Sequence, residues 1–334
     1  MKKLFTLLFF IFLTNIATAQ DTTKVLLIGN SLSFWNNMPG MIEEICHAGG
    51  KNVMVQNMAL GGHSLEMHTH STVTLNFIDN YEWDYVVLQG GRPFIALEDS
   101  LHLVLPYAKE LSDRVHSKNP ETKIIFVVDH SYITDIMLYD EIVTWSDFQD
   151  MITIGTKRLA DSLDYIIVPC GVAFNDVRLQ YPHEEYFDKD SVHPSSLGSY
   201  IMACTYYSVL FKESSVGLDY YSDIDPIFAE KIQIIASNLV LDNLDYWNYD
   251  LGTDVNDNSY QGKLSLYPNP CHEVITIQSD DRLQKVTFFD LSGKKVAERT
   301  PKNKEIHLES IPDGFYILAI ETNQGIRNRI ILVN

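Results

Sequence analysis

Short apolar runs alternate with helix-like segments between residues 24 and 241, and this alternation constrains the fold more than any other feature of the chain. Most of these runs are apolar along their whole length and rich in β-branched side chains, as buried strands are. Such strands are typical of a parallel sheet that is covered on both faces. We predict strands at residues 24–29, 52–58, 84–88, 123–129 and 165–169.

Segments with helical spacing lie between and after these runs. They cover residues 39–48, 100–117, 146–163, 194–210 and 226–241, with Ser146 as the N-cap of the third and Pro194 at the start of the fourth. Helices that alternate with strands in this way pack on both faces of the sheet. The sequence therefore predicts a three-layer α/β/α domain over residues 20–248.

The composition changes after residue 248. Residues 249–262 are polar, acidic and rich in turn formers, which predicts a linker. From residue 263 to 334, short alternating segments separated by turn signals replace the helical spacing, so we predict a small all-β sandwich. Its predicted strands are residues 274–278, 285–289, 305–308, 315–321 and 329–333.

The first nineteen residues are typical of a secretory signal peptide. Lys2 and Lys3 precede an apolar run at residues 4–13, and small residues at 17–19 offer a cleavage site before Gln20. The run is too short to span a bilayer, although an N-terminal anchor that stays in place is the alternative. We therefore expect an exported protein.

The charge and the cysteines exclude some classes of partner. The formal net charge is −19, and an acidic surface repels nucleic acid phosphates. None of the four cysteines forms a Cys-x-x-Cys pair, so no zinc knuckle is indicated. We expect these cysteines to be buried, and the sequence assigns no disulfide.

Two short segments together predict nucleophilic catalysis. Ser31 lies just beyond the first predicted strand, where sites form in open parallel sheets. Asp190 and His193 are three residues apart, so one loop can present both a base and the carboxylate that orients it. Taken singly, Ser31 could be a turn residue, and the pair could be a solvated surface loop. The ordinary α/β-hydrolase signature Gly-x-Ser-x-Gly is absent.

Over residues 24–212 the chain resembles the SGNH (GDSL-like) hydrolase superfamily. Gly29–Ser33 resembles its first block, Asn57–Gly62 its second and Asp190–His193 its last. The resemblance implies a flavodoxin-like α/β/α fold, attack by Ser31, proton transfer by His193 and orientation of His193 by Asp190. It also implies an oxyanion hole that includes the backbone N–H groups of Ser31 and Gly62.

The third block departs from the family pattern. Where the family has Gly-x-Asn-Asp, with Asn as an oxyanion donor, this chain has Gln-Gly-Gly-Arg at residues 89–92. We predict that Gln89 replaces the missing Asn, with Arg92 as the rival candidate. Loss of one oxyanion donor costs about 10²–10³ in rate, so a catalytically degenerate, glycan-binding surface protein remains the alternative function.

Further polar and aromatic residues lie near these motifs. We predict substrate contacts for Asn30, His63, His68 and Arg92. The histidines at 63, 68 and 70 match no strong ligand spacing, so we expect no metal. Trp35 follows the serine closely and could line an acyl pocket or pack in the core. The proposed chemistry needs no organic cofactor.

The last residues resemble the type IX secretion sorting domain of Bacteroidetes-type bacteria. The resemblance covers residues 263–334 and rests on Leu-Tyr-Pro-Asn-Pro at 266–270, on 286–296 and on 314–317. It implies contact with the type IX secretion machinery and passage across the outer membrane, followed by release or surface attachment. A generic carbohydrate-binding sandwich is the alternative.

Together these features predict a secreted serine esterase that acts on small acyl esters, with acetyl groups on a polysaccharide as one candidate substrate. That substrate rests on the resemblance and on the compartment, not on any one residue.

Overall fold

The structure is a computed structural model of the whole chain. It describes residues 22–249, 264–267, 271–279, 281–289, 295–302, 304–312, 314–323 and 325–333. The chain divides into two compact units, residues 1–251 and 252–334. The predicted signal peptide and residues 250–262 of the predicted linker lie outside the described residues.

The first unit alternates strands and helices. Its strands are β1 (Thr23–Ile28), β2 (Val53–Asn57), β3 (Tyr85–Leu88), β4 (Lys123–Val127), β5 (Ile136–Leu138), β6 (Glu141–Val143) and β7 (Ile166–Val168). Its helices are α1 (Met38–Ala48), α2 (Leu65–Thr69), α3 (Thr72–Asn80), α4 (Arg92–Ala96), α5 (Leu105–Lys118), α6 (Trp145–Leu163), α7 (Cys170–Gln180), α8 (Ser196–Phe211) and α9 (Pro226–Leu241).

Five of these strands form one parallel sheet in the order β2-β1-β3-β4-β7. Successive side chains of a strand point to opposite faces. In β1, Val25 and Leu27 join one buried cluster, while Leu26 and Ile28 join another. Both faces of the sheet are therefore covered, and the predicted three-layer α/β/α fold is confirmed.

Each buried cluster corresponds to one layer of helices. Residues of α1, α7, α8 and α9 pack on one face of the sheet, and residues of α3, α5 and α6 pack on the other. α8 is apolar nearly all round, and fourteen of its residues are buried, as expected for a helix in the interior. In the part of the chain that the structure describes, no helix is long and apolar enough to cross a membrane.

Two helix starts differ from the prediction. α6 begins at Trp145 because the side chain of Thr144, not Ser146, accepts the hydrogen bond from the N–H of Asp147. α8 begins at Ser196 because the Ser195 hydroxyl caps it. Pro194, which we predicted at the helix start, instead pairs with Phe187 in an isolated β-bridge.

Several further elements of the first unit were mispredicted or not predicted. The helix predicted at residues 100–117 is divided, because a 3-10 helix at Glu98–Leu103 precedes α5. The sequence patterns did not predict α2, α3, α4, α7 or the β5–β6 hairpin. No disulfide joins cysteines of the described residues, and all four cysteines are buried.

The sheet order places a crevice beside β1. After β1 the chain forms β2 on one side of it and then crosses to form β3 on the other side. Such a reversal leaves an opening at the carboxyl ends of the strands, where ligands bind in open α/β sheets. Ser31 follows β1 at this edge, and the turns after β2 and β3 lie on either side of it.

The contact between α6 and α4 depends on Gly155. A Cβ atom at this position would lie 1.8 Å from the backbone oxygen of Ile95, which no side chain can tolerate. We expect Gly155→Ala to lower the free energy of unfolding by about 1–3 kcal/mol, because α6 or α4 must move to make room for the methyl group. Urea denaturation measures this, with Thr153→Ala on the same helix as control. Equal stability of both variants would contradict the tight contact.

The second unit is antiparallel. Its described strands are β8 (Leu264–Tyr267), β9 (Val274–Ser279), β10 (Leu283–Phe289), β11 (Lys295–Arg299), β12 (Glu305–His307), β13 (Gly314–Thr322) and β14 (Gly325–Val333). They form a four-stranded sheet, β11-β10-β13-β14, and a three-stranded sheet, β12-β9-β8. Ile275, Phe288 and Leu318 belong to one buried core, so the predicted small β domain is confirmed.

Candidate active site

The structure brings Ser31, His193 and Asp190 together in one chain of hydrogen bonds. His193 Nε2 lies 2.7 Å from Ser31 Oγ, and His193 Nδ1 lies 2.5 Å from Asp190 Oδ2. The serine and the histidine are separated by 162 residues in the sequence, so only the fold can join them. In this geometry the imidazole can accept the hydroxyl proton while the carboxylate holds its other nitrogen.

Local capping fixes the position of Ser31. Ser31 begins a 3-10 turn whose N-cap is Asn30, and Asn30 Oδ1 accepts a hydrogen bond from the N–H of Leu32. The turn directs the Ser31 side chain away from β1 and towards the loop that carries His193. An Asn cap is favourable here because a short acceptor satisfies an N–H group that has no partner within the turn.

The loop at residues 188–193 holds Asp190 in a fixed orientation. Asp190 Oδ1 accepts the backbone N–H groups of Val192 and His193 at 2.9 and 3.0 Å. Ser191 has a φ of 61°, which turns the loop so that both N–H groups face the carboxylate. The hydrogen bonds from the His193 side chain and from these N–H groups lower the pKa of Asp190 to about 2. Asp190 is therefore ionised throughout the neutral range.

Trp35 supports the imidazole from one side. Its ring stacks on that of His193 with centroids 3.8 Å apart and an angle of 10° between the planes. Its Nε1–H donates to Asp188 Oδ2 at 2.9 Å, and the N–H of Asp188 donates to the His193 carbonyl. Of the two roles predicted for Trp35, acyl pocket or core, neither describes this contact.

The predicted role of Gln89 as an oxyanion donor does not match the structure. The residue is 1% exposed, and its Oε1 accepts the N–H of Asn30 at 2.7 Å and the hydroxyl of Ser33 at 3.2 Å. Its Nε2 donates to both carboxylate oxygens of Asp129 at 2.9 Å. The backbone N–H can only donate, so it fixes which end of the amide is the oxygen. Gln89 therefore holds the backbone before Ser31.

Asp129 is the buried end of this network. The residue is 1% exposed and lies two positions after the end of β4, the strand that pairs with β3. Burial raises the pKa of Asp129 to about 6, although the hydrogen bond from Gln89 opposes that shift. Gln89 and Asp129 together connect the core of the sheet to the backbone of Asn30.

Other hydrogen-bond donors remain at this edge of the sheet. The backbone N–H groups of Ser31 and Gly62 and the side-chain amide of Asn30 donate no hydrogen bond within residues 22–249. Asn30 Nδ2 lies 4.0 Å from the position that a Cβ atom of Gly91 would occupy, in the turn after β3. Gly62 has a φ of 71°, which glycine adopts without strain.

Arg92, the rival candidate for the oxyanion, is also buried. Its guanidinium donates to the carbonyls of His130 and Ser131 at 3.2 and 2.8 Å, and to that of Val192 at 3.4 Å. Burial lowers the pKa of the guanidinium group. The central carbon of this group lies 4.4 Å from the centroid of the Tyr132 ring. Arg92 thus ties the segment after β4 to the loop that carries His193.

The two predicted histidine contacts differ in exposure. His68 is fully buried, with Nε2 2.8 Å from the carbonyl of Gly29 and Nδ1 2.9 Å from the Thr74 hydroxyl. It therefore supports the backbone before Ser31 and cannot reach a substrate, contrary to the prediction. His63 is half-buried, and its ring centroid lies 5.3 Å from that of His68.

No group of three or more metal-binding side chains is found among the residues that the structure describes. His63, His68 and His70 are therefore not gathered around one point, and His70 Nδ1 instead lies 2.9 Å from the carbonyl of Glu66. The geometry assembled at this edge is that of a serine, a histidine and an aspartate.

Residues 265–334 match the family model of the secretion system C-terminal sorting domain. This part of the chain is a secretion sorting domain. Such a domain directs export through the outer membrane, with release or attachment at the cell surface as the outcome. The predicted export of the protein is therefore confirmed.

Solved structures show the fold of the first unit. A DUF4886 family protein from Bacteroides uniformis has 24% sequence identity and a TM-score of 0.57, and the match covers 66% of this chain and 95% of that one. A proposed SGNH hydrolase from Slackia heliotrinireducens has 21% identity and a TM-score of 0.47 over 56% and 98% of the two chains. The first unit shares the α/β/α fold of the DUF4886 family protein.

Among curated proteins, the chain is similar to the ulvan lyase NLR42 of Nonlabens ulvanivorans. The identity is 26% over 122 residues, which is 35% of this chain and 22% of the lyase. The match thus spans less than a quarter of that enzyme.

Proposed function

We propose that the protein is an exported serine hydrolase that cleaves carboxylic esters through an acyl-enzyme. The observation that carries the proposal is the continuous hydrogen-bonded chain from Ser31 through His193 to Asp190. Neither a turn serine nor a solvated Asp–His pair would need this alignment across 162 residues. The fold of the first unit supports the proposal, because ligands bind at the carboxyl edge of open α/β sheets, where Ser31 follows β1.

The chemistry proceeds in two steps. Ser31 Oγ attacks the ester carbon while His193 Nε2 takes its proton, and the same proton then passes to the departing alcohol as the C–O bond breaks. Water, deprotonated by His193, attacks the acyl-enzyme and releases the acid. Asp190 stabilises the imidazolium that forms in both steps.

The negative charge on the carbonyl oxygen needs donors that are already in place. The backbone N–H groups of Ser31 and Gly62 and the side-chain amide of Asn30 are the available donors in our proposal, because the described residues offer them no acceptor. Asn30 then takes the part that Asn has in the third block of the family, from a different position in the chain.

A small pocket supports a short acyl group. It has a volume of about 130 Å³ and is lined by Ser64, Gly90, Phe94 and Leu103 among others. It borders the turn at Gly91, which also lies next to Asn30. The volume is well below the roughly 300–1,000 Å³ of drug-sized pockets, so this pocket suits an acetyl group better than a long acyl chain. Acetyl esters of carbohydrates outside the cell are therefore the favoured substrates.

Two measurements on the purified protein test the proposal. A fluorophosphonate probe should form one covalent adduct, which peptide mass analysis places on Ser31, because only an activated serine reacts readily. The protein should also hydrolyse 4-nitrophenyl acetate at least ten times faster than 4-nitrophenyl octanoate. The His193→Ala variant is the control, since it keeps Ser31 but lacks the base.

The outcome also separates the enzyme from the alternative function. A protein that neither reacts with the probe nor hydrolyses either ester, yet is folded and binds a glycan, would be the degenerate surface protein. Labelling at a serine other than Ser31 would equally contradict the assignment.

A further inference from the structure

A second and larger cavity lies beside the loop that carries Asp190. Its volume is about 380 Å³, and residues 184–189 form much of its wall, with Ile133 and Arg178 opposite. This volume falls within the range of pockets that hold small organic ligands. Lys189, the last of these wall residues, directly precedes Asp190 in the chain.

The cavity is in contact with the catalytic imidazole through one layer of side chains. Asp188 lines the cavity, and its carboxylate accepts the hydrogen bond from Trp35 Nε1 at 2.9 Å. Trp35 in turn stacks on His193 at 3.8 Å between ring centroids. A group bound in the cavity is therefore separated from the imidazole by Asp188 and Trp35.

One wall of the cavity is rigid. Arg178 donates to the carbonyls of Tyr132 and Ile133 at 3.0 and 2.5 Å, and its guanidinium lies 3.6 Å from the centroid of the Trp145 ring. These contacts join α7 to the segment after β4, so that the wall is formed before any ligand arrives. A preformed site reduces the entropy cost of binding.

The opposite wall offers free polar groups. The carboxylates of Glu184 and Glu185 and the ammonium group of Lys189 are exposed, and none makes a hydrogen bond or an ion pair within residues 22–249. Carboxylates accept hydrogen bonds from hydroxyl groups, and an ammonium group donates to them. Phe187 also lines the cavity and is an apolar residue.

We propose that this cavity binds the alcohol half of the ester, and that this half is a polyhydroxylated alcohol such as a sugar. The inference rests on the proposed function and adds the leaving-group site to it. Glu184 and Glu185 accept hydrogen bonds from hydroxyl groups of the sugar, and Phe187 contacts its apolar face.

Other alcohols fit the same cavity less well. An alkyl or lipid alcohol would bury the charges of Glu184, Glu185 and Lys189 without replacing their hydration. An anionic alcohol would meet three carboxylates, including Asp188, and a protein with a net charge of −19. A neutral molecule with several hydroxyl groups avoids both penalties.

The test compares esters that share the acetyl group and differ in the alcohol. We expect wild-type kcat/KM to be at least tenfold higher for a mono-O-acetylated methyl xylopyranoside than for butyl acetate. In the double variant Glu184→Gln, Glu185→Gln, kcat/KM for the sugar ester should fall about ten- to a hundredfold relative to that for 4-nitrophenyl acetate, which has no hydroxyl groups to bind. Glu82→Gln, at the opposite edge of the sheet, is the matched control.

Four outcomes would contradict the inference. An equal loss on the sugar ester and on 4-nitrophenyl acetate would mean that the loop acts only by placing Asp190, and would overturn the inference. No loss on the sugar ester, or no preference for it over butyl acetate, would overturn it too. If the wild-type protein hydrolyses none of these esters and Ser31 does not react with the fluorophosphonate probe, the proposed function fails and the inference fails with it.

Discussion

Replacement of Ser31 or His193 by alanine should lower kcat/KM for 4-nitrophenyl acetate by about 10⁴–10⁶-fold. The serine supplies the bond to the acyl group and the histidine moves its proton, so each is needed for the same step. The double variant should therefore be no slower than the slower single variant. Steady-state kinetics of the two single variants and the double variant measure this. The rate of spontaneous ester hydrolysis is subtracted and sets the lowest activity that can be detected.

The controls for this prediction concern folding. Ser31 and His193 are held at the surface by their loops, so both variants should keep a thermal midpoint close to that of the wild type. Ser162→Ala, on α6, removes a hydroxyl that bonds only its own helix and should leave the rate unchanged. A Ser31→Ala variant with more than about one hundredth of the wild-type rate would show that another nucleophile acts.

Local patterns were sufficient for features that depend on near neighbours in the chain. The apolar runs predicted all five strands of the parallel sheet to within two residues, because a buried strand must be apolar on both faces. Asp190 and His193 could be recognised as a pair because one loop carries both. Ser31 could be placed at the functional edge because it follows a strand directly.

The direction of Gln89 could not be predicted in this way. The sequence identifies an amide at the end of β3, but Asp129 is 40 residues away and becomes its neighbour only because β3 and β4 are adjacent strands. A buried carboxylate draws the amide inwards, since an unpaired charge in the interior is costly. The same amide in a solvated turn would have been free for an oxyanion.

Elements without a clear apolar stripe were also missed. α7 buries Gly171 and Asn175 along with Phe174 and Val177, so small and polar residues interrupt its apolar face. The β5–β6 hairpin has strands of three residues each and exposes Met137 at 67%. α7 supplies Arg178 to the wall of the larger cavity, so sequence patterns that missed α7 did not indicate that cavity.

The Asp190→Asn variant should lose about 10³–10⁴-fold in kcat. Asp190 Oδ1 accepts two backbone N–H groups, and these can only face the oxygen of an asparagine amide. The amide NH₂ group must then take the place of Oδ2 and point at His193 Nδ1. To accept that hydrogen bond, the imidazole must carry its proton on Nε2, where it blocks proton transfer from Ser31.

Asp188→Asn is the matched control for this change. Asp188 lies two residues earlier in the same loop and bonds Trp35 and the N–H of Lys189, not the imidazole. We expect it to lose less than about tenfold in kcat, because it leaves the protonated nitrogen of His193 unchanged. If instead the two variants lose activity equally, the loss comes from displacement of the loop, and Asp190 does not set the tautomer of His193. If Asp190→Asn retains a tenth of the wild-type rate, the carboxylate is not part of the catalytic group at all.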